Sequence, residues 1–268
     1  MITKATRADV VEWHRQTVVR TDAKVVIAGD ISTEVAGKAV DALLSGLPEG
    51  VPASASAASA DFTPIRILLH VPEARTSALV FLGPLPPTSQ GSELEDILLT
   101  NALGGDDKSV LFDAVRTGLR ASYGFAAGLD AYTRELRVVA LSGEVETAKL
   151  AEAEAVVRTA YSGFIHAPRM GDLDARKRPL EAIAEQTKRR PGAASFAALM
   201  AMMDGQDPNF ALTLSSLSKK VTEATVRARA ASAFPKAEEL IILAVSPDAK
   251  ALPGACVITS PAEAAKCR

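Results

Sequence analysis

The amino-acid sequence predicts an α+β fold in which a largely antiparallel sheet packs against helices. Three observations point there. Short β-branched runs come in pairs, apolar residues at helical spacing fill the stretches between them, and a helix followed by a strand stands near each end of the polypeptide.

Thr6-Arg7-Ala8-Asp9 has the form of a helix start, with Thr6 as N-cap, and the helix continues over residues 10–17. Residues 24–28 are a β-branched run stopped by Gly29-Asp30 and read as a buried strand. Val35, Ala36, Val40, Leu43 and Leu44 give residues 33–44 helical spacing, with Gly46 as the expected C-cap. Residues 47–64, rich in Pro, Ser, Ala and Gly, show no periodicity and read as a linker. Strands follow over 65–71 and 77–82, the second stopped by Gly83-Pro84-Leu85-Pro86-Pro87. Helices fit 92–103 and 109–117, and strands 123–132 and 135–143 are joined by a tight turn at Thr133-Arg134. Further helices fit 146–165, 172–190, 193–203 and 222–234; Pro179 should kink or interrupt the second of these, because it removes a backbone donor. Residues 239–245 are the last expected strand.

An internal repeat organises these elements. Residues 6–30 and 222–246 align without a gap at an offset of 216, Thr6 on Thr222, Val10 on Val226, Val18 on Phe234 and Ala28 on Ala244. If residues 64–248 form one domain that ends in this helix and strand, residues 1–48 are the end of a preceding domain of the same kind. Residues 49–63 are then the linker and 249–268 a tail. A lone helix and strand cannot bury their apolar faces, so residues 1–48 should dock on the second domain or on another copy of the protein.

Bulk composition sets limits. With 268 residues, 48% hydrophobic and 23% charged, the protein can bury a substantial core. A net charge of −2 offers no electrostatic footprint for nucleic acid. No run approaches the ~18 apolar residues of a membrane span. Cys256 and Cys267 are the two cysteines. They either close a small disulfide loop in an oxidising compartment such as the bacterial periplasm, or stay two separate thiols in a cytoplasmic protein.

Chemistry-bearing motifs are few. His14, His70 and His166 show no metal-ligand spacing, and the zinc motif His-x-x-Glu-His is absent. There is no Gly-x-Ser-x-Gly elbow. Gly104-Gly105-Asp106-Asp107-Lys108-Ser109 lacks the gap of a phosphate loop and reads as a flexible turn between helices. Arg116 and Tyr123 remain. A helix ending near Arg116 and a strand beginning at Tyr123 would bring a forked donor and a hydroxyl to one end of the sheet, where they could grip a carbonyl oxygen of an extended peptide. The alternative is an exposed helical arginine and a half-buried strand tyrosine.

Gly104-Gly105, Ser109-Val110-Leu111-Phe112, Arg116 and Tyr123 together resemble the second-domain signature of the insulinase/pitrilysin family of zinc metallopeptidases. The seven-residue spacing from Arg116 to Tyr123 agrees with that family. Asp9-Val10-Val11-Glu12-Trp13-His14, then Val25-Val26-Ile27-Ala28-Gly29-Asp30, resembles the end of the family's first domain. The resemblance implies a half-domain of the processing-peptidase type, with peptide as substrate. It implies that zinc is held by a missing first domain or a partner subunit, with no cofactor in this one, and that this protein is not active alone. Arg116 and Tyr123 become the expected substrate-binding residues, with no complete catalytic set here. A catalytically dead scaffold subunit of the same fold is the alternative. One departure from the family pattern is Arg120-Ala121-Ser122, where the family has Gly, Leu and a small residue; it bears on the turn and on the aim of Tyr123.

Overall fold

The structure, a computed structural model, describes residues 4–52, 60–88, 93–122 and 124–268. The polypeptide divides into two compact units, Met1–Ala60 with Glu181–Ser215, and Asp61–Leu180 with Ser216–Arg268. Residues 181–215 thus group with the N-terminal segment rather than with the rest of the 64–248 stretch.

The larger unit is built on a six-stranded sheet in the order β3-β4-β2-β5-β1-β6. Its strands are β1 (Arg66–His70), β2 (Ser77–Leu85), β3 (Phe125–Ala131), β4 (Arg137–Val145), β5 (Ile241–Ser246) and β6 (Cys256–Ile258). The β2–β4, β2–β5 and β3–β4 ladders are antiparallel, and β1 pairs parallel with β5 and β6, so the sheet is mixed but mostly antiparallel. Strict alternation along β2 sends Leu79, Phe81 and Leu85 inward, as a half-buried strand requires. Helices α3 (Glu93–Gly104), α5 (Leu150–His166) and α9 (Glu223–Ala233) pack on one another and on the strands. Leu98, Leu99, Leu103, Leu141, Leu150, Tyr161 and Ile242 fill the core between them.

Two strand boundaries differ from expectation. β2 runs through Gly83-Pro84 instead of stopping there. Its ladder with β5 ends at Leu82, so beyond that point β2 has a neighbour on one side only and Pro84 can lack a donor on the other. Residues 249–268 are not a loose tail. They add β6, and a disulfide between Cys256 and Cys267 ties the 3₁₀ turn Pro261–Cys267 to that strand. A three-residue strand carries too little periodicity to stand out in sequence.

The smaller unit holds α1 (Arg7–Thr17), α2 (Thr33–Leu44) and α7 (Pro191–Met203). Thr6 and Asp9 form a capping box at the start of α1, and Thr222 and Thr225 do the same for α9. The two helices share length and offset, residue for residue. The strand half of the repeat does not form: residues 24–28 are irregular, with Ile27 exposed, because no described strand lies beside them. The helix α2 ends at Ser45 rather than on a left-handed Gly46. Pro179 lies inside α6 (Leu173–Lys188) without interrupting it, and α8 (Phe210–Ser218) was not expected. Of the linker, residues 53–59 lie outside the described residues. No helix among the described residues is long and apolar enough to cross a membrane.

Candidate functional site

Arg116 is placed by a change of helical pitch. Ser109 caps α4 (Val110–Phe112), which passes directly into a π-helical turn, Asp113–Gly118. Leu111 and Val115 are fully buried and hold the inner side of this segment. Phe112 and Arg116 fall on its outer side, where the Arg116 guanidinium lies 5.0 Å from the Phe112 ring centroid. That contact is within cation–π range and pre-orients the fork. Wide π turns recur at functional sites because they re-aim one side chain out of helical register.

The backbone then turns sharply. Arg120 has φ of 52°, the left-handed region that favours glycine. The turn is pinned from several sides. The Ala121 N–H donates to the Val115 carbonyl at 3.2 Å, and the Ala121 carbonyl accepts from the Glu146 N–H at 2.9 Å. Lys149 Nζ donates to the Leu119 and Arg120 carbonyls at 3.4 and 3.1 Å. Ser122 closes the last link, exchanging hydrogen bonds with the backbone of Gly124 at 2.8 and 3.1 Å. The surroundings therefore hold an arginine in a conformation it would not choose alone.

These segments line a cleft of about 550 Å³ that includes Thr76, Arg116, Arg120, Ser122, Glu144 and Glu146. Its lining thus includes two arginines, Arg116 and Arg120, and two glutamates, Glu144 of β4 and Glu146 just beyond it. Glu144 accepts from the Thr76 hydroxyl at 3.4 Å, and Glu146 pairs with Lys149 at 3.6 Å. Tyr123, the other expected contact, lies outside the described residues. Sequence reasoning missed Arg120, Glu144 and Glu146 as cleft residues, and Lys149 as a residue that holds the turn. The arginine standing where the family has glycine was the one available signal.

A larger cleft of about 990 Å³ lies along α3, α4 and the start of α6. One of its cations is already engaged: Arg176 donates to Asn101, the Met170 carbonyl and Asp106 at 2.6, 2.8 and 3.3 Å. The Gly104-Gly105 turn has a packing role, not a flexible one. A Cβ on Gly104 would sit 2.2 Å from the Ala127 backbone nitrogen, so only glycine lets the end of α3 approach β3. His14 and His166 are exposed, and His70 meets the Pro247 carbonyl at 3.1 Å. Among the described residues no three His, Cys, Asp or Glu side chains gather as a metal would require.

Solved structures share this fold. A peptidase M16 inactive domain from Pseudomonas fluorescens superposes with a TM-score of 0.74 at 17% identity, over 92% of this chain and 58% of that one. A protease from Helicobacter pylori gives 0.74 at 11% identity, over 92% and 60%. The first half of the periplasmic protease PqqL from Escherichia coli gives 0.61 at 16%, over 87% and 52%. This chain thus spans a little over half the length of each of these three structures. No curated protein matches it. The family model described as the peptidase M16 inactive domain matches residues 4–180, more than half of the sequence, and the protein belongs to that family.

Proposed function

We propose that this protein is the substrate-handling, non-catalytic part of a zinc metalloendopeptidase. It binds peptide in the Arg116 cleft, opposite a zinc site carried by a homologous domain of the same polypeptide or of a partner subunit. Arg116 and Tyr123 hold the peptide backbone, Arg116 through its forked donors.

The observation that carries this reading is a repeated segment whose helix is buried once and bare once. In α9, Val226, Ala230 and Ala233 are buried against the larger unit's core. In α1 no residue is buried: Val10, the counterpart of Val226, is 56% exposed and Trp13 61%. Ile27, Ile31, Val35 and Leu43 are exposed as well. Helix α9 is covered by α3 and α5, and β5 by β1 and β2. By the repeat, what fits the bare face of residues 1–48 is a second domain built like the larger unit. The peptidase zinc is expected there. The disulfide supports an oxidising compartment, and the bacterial periplasm is the location we propose.

Trp13 is the single tryptophan of the sequence and reports on this docking. With 5-fluorotryptophan in this protein only, its ¹⁹F resonance should shift on adding the zinc-bearing M16 partner, and the mixture should cleave peptide. A complex that forms but shows no cleavage above that of the partner alone favours the scaffold role.

A further inference from the structure

We infer that Arg120 is a specificity-determining residue that recognises a carboxylate on the bound peptide, either an acidic side chain or the free C-terminus of the peptide. This rests on the reading of the Arg116 cleft as a peptide site and names the chemistry it selects.

Three observations carry the inference. Arg120 stands at a φ of 52°, where glycine would carry no steric penalty, so the side chain is kept against a backbone cost. Its side chain is exposed and lines the same cleft as Arg116. The nearby carboxylates are engaged elsewhere, Glu146 with Lys149 and Glu144 with the Thr76 hydroxyl. Among the described residues no hydrogen bond or ion pair engages the Arg120 guanidinium; its carbonyl, by contrast, is fixed by Lys149. A guanidinium on a pinned turn, four residues from a second one, presents a fork matched to a carboxylate. Arg116 serves the backbone of any peptide, whereas Arg120 adds a charge-selective contact beside it.

The test is fluorescence anisotropy on the full-length protein with labelled decapeptides of one sequence. One carries a central Glu and one a central Gln, each with a free or an amidated C-terminus. The wild type should prefer a carboxylate-bearing peptide by about fivefold at low salt, with the preference shrinking as salt rises. Whichever of the Glu or free-terminus peptides carries the preference identifies the source of the carboxylate. Arg120→Gly, which suits the left-handed backbone and so should fold, should abolish the preference, so that carboxylate-bearing peptides bind no more tightly than the amidated Gln peptide. Equal binding of all four peptides by the wild type, or a preference unchanged in Arg120→Gly, overturns the inference while leaving the peptide site intact. Binding of none of them overturns the inference and the peptide-site reading together.

Discussion

Asp96 offers the sharpest perturbation of the fold. Its carboxylate is fully buried in the first turn of α3, between Arg137 of β4 and Arg229 of α9. Arg137 donates at 2.9 Å, and Arg229 donates twice, at 2.7 and 2.9 Å. Both guanidinium groups are themselves largely buried, at 6% and 12% side-chain exposure. The hydrogen bond to Asp96 raises the Arg229 pKa further above its already high ordinary value. Asp96→Asn removes the one negative charge between two cations and turns an amide toward donors. Breaking a buried pair from one side costs about 3–5 kcal/mol, because it leaves uncompensated charge behind. Against a total stability of ~5–15 kcal/mol this is a large fraction. Urea denaturation followed by far-UV circular dichroism measures it, with the midpoint falling and the slope unchanged. A loss under about 1 kcal/mol would refute the reasoning, since that is the scale of an exposed pair.

Two further outcomes are open to measurement. Gly104→Ala should cost ~1–3 kcal/mol, because its Cβ meets the Ala127 nitrogen and the end of α3 must lift from β3; near wild-type stability would contradict the close approach. Glu263 is held by Lys266 and by the Thr259 N–H and hydroxyl, which together pull its pKa from 4.5 to about 2. A depressed carboxylate stabilises the fold above its unfolded value and loses that contribution as pH falls through the folded one. The Pro261–Cys267 turn should therefore loosen only between pH 4.5 and about 2, read as the Glu263 side-chain titration by NMR. A midpoint near 4.5 would show that these contacts do not persist in solution.

Much of the fold was legible because local signals and tertiary structure agree. Thr6 and Thr222 mark their helices, and the alternation of β2 shows its inward face. Where the reading failed, a long-range fact decided. Residues 24–28 have the composition of a strand, yet a strand needs a neighbour, and none is described beside them. Pro84 looked like a stop, but the shorter β5 ladder gives it a free side. β6 is legible only once β1 is there to template it. The site divides the same way. Arg116 stands out in the sequence through its spacing to Tyr123, whereas the left-handed backbone angle at Arg120 is not something composition reveals.

The most direct test of the proposed role is the rate of peptide cleavage by this protein mixed with its zinc-bearing partner. Arg116→Ala should leave assembly intact, as read by the Trp13 resonance, and lower kcat/KM on the order of 100-fold, the scale of losing a donor to the reacting peptide group. An assembled complex whose kcat/KM is unchanged by Arg116→Ala would contradict a substrate-handling role and leave only that of a scaffold.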